Sequence, residues 1–506
     1  MSKIPLSKQH LVKRKDKPSF VLRMDIFGSF LQMTMHAEDY YDFSLRYPDN
    51  ADRILIDGMY AGDWYSVYES DVLPMRHNDF LDRLRLGGDI FARWIDDAHS
   101  RKKQCFLVDR VSEVAMDTDC NPIPAYTERP DWFIPAFGFQ MLNFSNPEVR
   151  EHKRKILAEV MRKYDFDGLD IDFERHTPIL PPNHQWELRE HVTEYMRMLR
   201  TELQQIAREQ NRVILLSARV PDCLDGCHQD GLDIKQWIKE DLVDCLTLGS
   251  RSFDVKVEEF RALSDQVQLY GSYDPHHTVD GYTFPEPETF RGVLYSHLQR
   301  GADGVEYFNW NGEGQNELVQ KYLEKYNLDR VRDGYVSLSK DDFTGLHDRA
   351  FLEKQDKTYV IDRKGGYPWG IGYGNLNATR QLPLDIAENG KVQLYVAESV
   401  LDAKNATLRL IFEELTSSPT IAVNGAQTAF TAAAHRDLQI TAENPAPTSG
   451  YKISQRLMNG VDMSKPCTLL VADAKPLPWK IGYNEIAITT DKGVRLEKVE
   501  LKIERK

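Results

Sequence analysis

Eight short apolar runs rich in β-forming residues alternate with helix-forming segments through the first two-thirds of the chain. A strand, a helix and a further strand in this order are typical of parallel βα units. Eight such units favour a sheet that closes into a barrel over one that stays open. The predicted strands are 21–26, 54–59, 105–110, 168–174, 213–219, 244–249, 267–273 and 304–310. The sequence therefore predicts an α/β fold, a (β/α)₈ TIM barrel.

The pattern of apolar residues changes near residue 340. Before it they recur at helical spacing, and after it they occur in short runs typical of strands. Asn424-Gly425 is a strong turn signal between two of these runs. This pattern is typical of an antiparallel β-sandwich. We therefore divide the chain into an N-terminal extension (1–18), a catalytic barrel (19–335), a connecting segment (336–380) and an accessory β-sandwich (381–506).

Charge and hydropathy limit the partners of the chain. A net charge of −14 argues against a nucleic-acid partner, because phosphate binding needs a positive patch. We predict that the basic run from Lys13 to Lys17 is a solvated surface stretch. No apolar run approaches the roughly 20 residues that span a bilayer, and the N-terminus has no signal core. We expect no membrane partner and a cytoplasmic location, or a periplasmic or secreted one if a leader was removed.

The fourth predicted strand carries an unusual set of acids. Alternate side chains of a strand share a face, so Asp170, Asp172 and Glu174 point one way and the intervening apolar residues the other. A buried carboxylate costs free energy unless it is paired, and repulsion between neighbours raises the proton affinity of at least one. This arrangement predicts an acid catalyst.

In a (β/α)₈ barrel the active site lies at the C-terminal ends of the strands. Asp25 and Asp57 close the first two predicted strands. The further candidates for substrate binding near these ends are Asp63, Trp64, Arg110, Asp170, Arg219, Asp254, Asp274, His276 and Trp310. Carboxylates, arginines and aromatic rings together suit a carbohydrate, whose hydroxyls bind charged groups and whose ring faces stack on aromatics. Hydrolysis of a glycosidic bond needs a protonated carboxyl and a second group. We predict Glu174 as the acid, with Asp172 orienting it or sharing its proton and Asp170 as deeper support.

The stretch Asp167-Gly168-Leu169-Asp170-Ile171-Asp172-Phe173-Glu174 resembles the Asp-Gly-x-Asp-x-Asp-x-Glu signature of family 18 glycoside hydrolases, the chitinase-like barrels. This resemblance implies a glycosidase with Glu174 as general acid and Asp172 as its assistant. The wider layout resembles poorly characterised glycoside-hydrolase-like barrels of bacteria, through the segments 146–150, 217–221 and 231–237.

The sixth predicted strand departs from the chitinase-like pattern. Where that family carries Met-x-Tyr-Asp, whose Tyr and Asp help the acetamido group of the substrate to attack, this chain has Leu-Thr-Leu-Gly-Ser-Arg at 246–251. A second protein carboxylate is then required. Glu306 is our first choice, with Asp274 and Asp254 in reserve. We predict an O-glycosyl hydrolase of oligo- or polysaccharides that needs no cofactor or metal.

Three alternatives stay open at this point. The acids could form an ion-pair network inside the barrel with Arg110, Arg175 or Arg219. Asp170, Asp172 and Glu174 could instead be the hard oxygen ligands of a metal-dependent sugar isomerase or hydrolase. The barrel could also bind carbohydrate without turning it over.

Overall fold

The computed structural model describes most residues of the chain. They are 4–27, 30–59, 63–112, 125–136, 139–175, 177–249, 252–274, 286–310, 316–327, 340–362, 381–413, 415–435 and 467–505. Within them, no helix is both long and apolar enough to cross a bilayer.

Eight parallel strands close into a barrel, which confirms the predicted fold. These strands are β1 (Phe20–Asp25), β2 (Arg53–Asp57), β3 (Gln104–Arg110), β6 (Gly168–Asp172), β7 (Leu215–Val220), β8 (Cys245–Leu248), β9 (Gln268–Tyr273) and β10 (Gly304–Tyr307). They follow one another around the barrel in chain order, and β10 pairs with β1 to close it. All eight predicted strands are present, several of them ending earlier than predicted. Two further strands, β4 (Phe133–Ala136) and β5 (Phe139–Leu142), form an antiparallel hairpin outside the barrel. This hairpin was not predicted from the sequence.

Helices connect the strands and cover the outside of the barrel. They are α1 (Lys8–Lys13), α2 (Phe30–Thr34), α3 (Ala37–Ser44), α4 (Asp79–Arg85), α5 (Ile90–Ser100), α6 (Ala125–Glu128), a 3₁₀ turn (Pro130–Trp132), α7 (Pro147–Lys163), α8 (Arg189–Glu209), α9 (Leu224–Gln229), α10 (Ile234–Lys239), α11 (Val257–Arg261), α12 (Pro287–Gln299), α13 (Asn316–Lys325), α14 (Lys340–Gly345) and α15 (Arg349–Glu353). Asn146 caps α7 by accepting the amide of Glu148, and Pro147 occupies the first helical position. On α8, Val192, Tyr195 and Leu199 form a buried stripe.

The inside of the barrel is polar at its N-terminal end. The guanidinium of Arg53 donates to Gln104 at 2.9 Å and to Gln268 at 3.0 Å, and it lies over the ring of Phe106. The polar side chains at this end satisfy one another's hydrogen-bonding groups, so they need no ligand. The site must be sought at the opposite end.

The N-terminal extension docks against the underside of the barrel. His10 on α1 is buried; its Nε2 donates to Asp244 at 2.9 Å, and its Nδ1 accepts from Gln204 at 3.2 Å. Gln268 donates to the carbonyl of Arg14 at 2.7 Å. The prediction of a solvated run from Lys13 to Lys17 is therefore wrong for Arg14, whose side chain is buried because it pairs with Asp241.

The C-terminal part forms two antiparallel sheets, as predicted. One sheet has the order β11 (Lys357–Val360), β20 (Val494–Glu504), β14 (Asn405–Glu413), β18 (Cys467–Asp473) and β17 (Thr431–His435), with β12 (Leu384–Ile386) also paired to β20. The other has the order β13 (Asn389–Val396), β19 (Gly482–Thr489), β15 (Thr420–Val423) and β16 (Ala426–Thr428). Alternate residues such as Val392, Leu394, Leu408 and Leu410 are buried between them. The first sheet thus takes in a strand from the predicted connecting segment.

Candidate active site

The strand β6 presents its acids to the interior of the barrel, as the alternation of its side chains predicted. Asp170 and Asp172 are fully buried there, while Leu169 and Ile171 belong to the apolar core outside the barrel. Glu174 lies two residues beyond the strand, at the C-terminal mouth, and is 4% exposed. The three acids therefore form a line that rises from the middle of the barrel to its mouth.

Arg23 occupies the centre of the barrel and pairs with two acids at once. Its Nη2 donates to Asp170 at 2.7 Å, and its Nε donates to Glu306 at 3.2 Å. Glu306 also accepts from Ser272 at 3.0 Å and from Thr247 at 3.3 Å, so both of its oxygens are engaged. Burial raises the pKa of Glu306 in spite of Arg23. These contacts conflict with the prediction of Glu306 as the second catalytic group, because they fix it in the middle of the barrel with no exposed surface.

Asp172 is held by a second arginine and in turn holds the backbone at Glu174. Nε of Arg219 donates to Asp172 Oδ1 at 2.9 Å, and Nη2 donates to Oδ2 at 2.6 Å. The amide of Glu174 donates to Asp172 Oδ1 at 3.0 Å. Arg219 and Arg23 hold the pKa of Asp172 well below its usual range against the opposing effect of burial. These contacts favour the ionised form of Asp172 and, of its two predicted roles, the orientation of Glu174 over the sharing of a proton.

Two acids and two arginines from four strand ends meet beside this pair. Arg110 donates to Asp25 at 2.7 Å and to Asp57 at 3.0 Å. Arg175, which follows Glu174, donates to the same Asp57 oxygen at 3.1 Å and lies 3.8 Å from the carboxylate of Asp25. We call Asp25, Asp57, Arg110 and Arg175 the mouth array. It ties the end of β6 to the ends of β1, β2 and β3.

The ring of Phe308 lies against three of the arginines. The guanidinium carbons of Arg219, Arg175 and Arg23 are 4.3, 4.8 and 5.7 Å from the centre of the ring. Each of these arginines also pairs with a carboxylate, so the ring fixes guanidinium planes whose charge is already compensated. The predicted ion-pair network is therefore present, and it extends from the middle of the barrel to the mouth.

Two of the predicted substrate-binding residues, Asp63 and Trp64, lie outside the mouth. Asp63 is buried behind the barrel, where Lys153 of α7 bridges it to Asp109 at 2.6 and 2.7 Å. Trp64 packs on His152, also of α7, with ring centres 5.7 Å apart. Both corrections have the same cause, because the chain after β2 turns outward onto α7.

Asp254 lies at the contact between the barrel and the C-terminal sheets. It accepts from Tyr483 of β19 at 2.7 Å and pairs with Arg300 at 2.7 Å and with Lys256 at 2.6 Å. The guanidinium of Arg300 lies 3.6 Å from the centre of the ring of Tyr395. Asp254, which was predicted to bind substrate, therefore has the partners of a structural joint.

The remaining candidates are buried, except for one that lies outside the described residues. Trp310 is 2% exposed and belongs to the apolar core, so it packs and does not offer a face to a sugar. Asp274 is completely buried at the end of β9. His276 lies outside the described residues. Arg110 and Arg219 are at the mouth, but both bind acids of the protein.

Sequence reasoning missed Arg23, the residue on which the middle of the barrel depends. A signal was present, because Arg23 interrupts the otherwise apolar run of β1 at an inward-facing position. A charge at such a position requires a buried counter-charge, and β6 and β10 supply two. Arg175 was expected only as a neutralising group and proves to link two strand ends.

No group of three His, Cys, Asp or Glu residues with the geometry to hold a metal ion is found in the described part of the chain. Asp170 and Asp172, the inner two of the candidate ligands on β6, already pair with Arg23 and Arg219. A cation there would have to displace a guanidinium from each. The arginines thus already supply the positive charge that a metal would bring.

The chain is thus a (β/α)₈ barrel with a C-terminal pair of antiparallel sheets. No family model matches it, and no curated protein matches it. Solved structures that are similar to it include a cycloisomaltooligosaccharide glucanotransferase from Paenibacillus sp., at 10% identity and a TM-score of 0.34, covering 95% of this chain and 57% of that one. An alpha-amylase from Anoxybacillus gives 11% identity and a TM-score of 0.35, covering 94% and 98%.

A third similar structure is the second catalytic domain of a group II chitinase from Ostrinia furnacalis, at 10% identity and a TM-score of 0.38, covering 65% of this chain and 96% of that one. The similarity to an alpha-L-fucosidase from Paenibacillus thiaminolyticus, at 13% identity and a TM-score of 0.38, covers 66% of this chain. The chain spans about half the length of the fucosidase and of the glucanotransferase, 49% and 57%.

Proposed function

We propose that this protein is a glycoside hydrolase that cleaves O-glycosidic bonds of an oligo- or polysaccharide, with Glu174 as general acid. The observation that supports it most is the contrast between the two last acids of the line on β6. Asp172 is fully buried and kept ionised by arginines, while Glu174 stands next to it at the mouth. Neighbouring carboxyls held in different environments are typical of acid–base sites.

The contact between Asp172 and Glu174 has a geometric consequence. The Glu174 amide bonded to Asp172 sets the direction in which the side chain leaves the backbone. A general acid must be held in one direction to donate its proton to the glycosidic oxygen. The contact therefore supports the role of Glu174 as the acid.

The test is hydrolysis of a panel of aryl glycosides and oligosaccharides by the wild type, Glu174→Gln and the control Glu388→Gln, whose side chain is exposed on the C-terminal sheets. The amide keeps the shape of the acid and cannot donate its proton. We expect E174Q to lose about 10²–10⁴-fold in kcat for substrates with poor leaving groups. The loss should be smaller for nitrophenyl leaving groups, which depart without protonation, and E388Q should match the wild type.

Three outcomes would overturn the proposal. Equal activity of E174Q and the wild type on every substrate would remove Glu174 from the chemistry. Tight oligosaccharide binding without hydrolysis would favour the carbohydrate-binding barrel. Chelator-sensitive activity would favour a metal-dependent enzyme, against the arginine pairs on Asp170 and Asp172.

A further inference from the structure

The proposed active site has a general acid but no second catalytic group, because Glu306 is fixed inside the barrel. Asp172 accepts from Arg219 with both oxygens, and Asp170 is paired with Arg23, and neither has any exposed side-chain surface. The Asp57 carboxylate is 2% exposed and uses one oxygen for two arginines. All of these carboxylates are thus engaged by arginines of the protein.

Asp25 differs from all of these acids by its exposure. Its side chain is 15% exposed at the end of β1, and its Oδ1 accepts the amide of Phe27 while its Oδ2 accepts Arg110. A carboxylate accepts up to about four hydrogen bonds, so the two bonds that the described residues donate leave capacity for a water on each oxygen.

Asp25 and Glu174 both lie at the C-terminal rim of the barrel. Asp25 ends β1, and Glu174 follows β6, which is three positions away in the strand order. Arg175 directly follows Glu174 and lies 3.8 Å from Asp25, so the segment that carries Glu174 reaches the end of β1. An inverting glycosidase requires its two carboxyls to lie about 6.5–9.5 Å apart, which leaves room for a water between them.

We propose that Asp25 is the second catalytic residue and acts as the general base that activates water. This inference rests on the proposed glycosidase activity. Asp25 takes one proton from a water whose oxygen forms the new bond to the anomeric carbon. The glycosidic C–O bond breaks with its electron pair on the leaving oxygen, which receives the proton of Glu174. The products are a sugar with inverted configuration and an alcohol, and solvent returns the proton from Asp25 to Glu174.

Arg110 and Arg175 then have positioning roles. They hold Asp25 and Asp57 in the mouth array, so the base is oriented before the substrate arrives. Asp57 completes the array as a buried anchor and does not contact the substrate.

The experiment compares the wild type, Asp25→Asn, Asp25→Ala and Glu174→Gln on substrates that the panel identifies, with Asp265→Asn as the matched control on an exposed loop. We expect D25N to lower kcat by about 10²–10⁴-fold for good and poor leaving groups alike, because water activation is needed in both cases. Azide, which needs no deprotonation, should restore turnover of D25A and give the glycosyl azide of inverted configuration. D265N should match the wild type.

The stereochemistry of the wild type provides a measurement that does not depend on the folding of any variant. Proton NMR of the first product should show inversion at the anomeric carbon, and retention would overturn the role of Asp25 as a base. Wild-type activity lost in E174Q and kept in D25N would overturn this inference alone. A wild type that cleaves no member of the panel would overturn the proposed function itself. A loss in D25A that azide does not restore would reduce Asp25 to a structural residue.

Discussion

Asp172 and Arg219 form a two-point ion pair in which Nε and Nη2 of the arginine reach the two carboxylate oxygens at 2.9 and 2.6 Å. Neither side chain has any exposed surface. Such a pair costs desolvation that its attraction only partly offsets, so its presence alone says little about stability. Its geometry matters more, because the same Asp172 oxygen accepts the amide of Glu174. The pair therefore links the ion network of the barrel to the proposed acid.

Removing only the arginine of this pair should destabilise the folded protein. Arg219→Met leaves the Asp172 charge buried with Arg23 as its nearest cation, 4.0 Å away. We expect the free energy of unfolding to fall by about 3–5 kcal/mol, measured by urea denaturation at pH 7. The exposed Arg208→Met is the control. Adding Asp172→Leu to R219M should recover part of the loss, and an unchanged loss in the double variant would contradict the buried-charge explanation.

The same pair predicts a dependence on pH. The pKa of Asp172 is lowered in the folded state, so its contribution to stability is present above the unfolded pKa of about 3.9 and is lost as pH falls through the folded value. In R219M the folded pKa moves up, and the destabilisation relative to the wild type should shrink as pH falls from 7 toward 3. Urea titrations at a series of pH values measure this. A difference between variant and wild type that is constant with pH would show that packing, not charge, carries the effect.

Arg23 and Glu306 should respond very differently to removal. Arg23→Met strands two buried acids, Asp170 and Glu306, whereas Glu306→Gln leaves Arg23 paired with Asp170. We expect R23M to lose about 3–5 kcal/mol in the free energy of unfolding or to fail to fold. E306Q keeps an acceptor for Arg23 and removes a charge that burial disfavours, so its loss should be smaller. Thermal unfolding of both variants tests the order, and a larger loss in E306Q would contradict it.

The barrel was predictable because its signals are local and repeated. Each βα unit carries its own apolar run and helical period, and the inward alternation of Asp170 and Asp172 follows from strand geometry alone. Partners across the barrel were harder to predict. Nothing near Asp172 in the chain selects Arg219 over Arg110 or Arg175, because that choice depends on which strands are neighbours and on the register between them.

Two of the predicted site residues lie away from the mouth for one physical reason, the direction taken by loops after the strands end. Asp63 and Asp254 both follow barrel strands, yet one turns back onto α7 and the other toward β19. Sequence position places a residue near the mouth but does not decide which side of the rim its side chain takes. Asp25 shows the converse, since it is the last residue of β1 and its direction was fixed by the strand.

The cluster behind the barrel predicts a second dependence on pH. Lys153 is the shared cation of two buried acids, Asp63 and Asp109, and burial raises the pKa of Asp109 to about 7. A raised pKa means that the contribution of Asp109 to stability is present below the unfolded value of about 3.9 and is lost as pH rises through about 7. Asp109→Asn removes this titration. Its stability relative to the wild type should therefore improve as pH rises from 4 to 7, and a flat difference in urea titrations would contradict the shift.

Variants at the contact between the barrel and the C-terminal sheets can distinguish a structural role of Asp254 from a role in substrate binding. Asp254→Asn removes the charge that Arg300 pairs with, and Arg300 is largely buried under Tyr395. We expect a loss of about 1–3 kcal/mol in the free energy of unfolding, since hydrogen bonds to charged groups are worth this much. Tyr483→Phe removes one hydrogen bond to the same acid and should cost less, while the exposed Asp402→Asn should cost nothing. On a substrate that the wild type cleaves, D254N should keep its KM. A raised KM with unchanged stability would return Asp254 to the binding site.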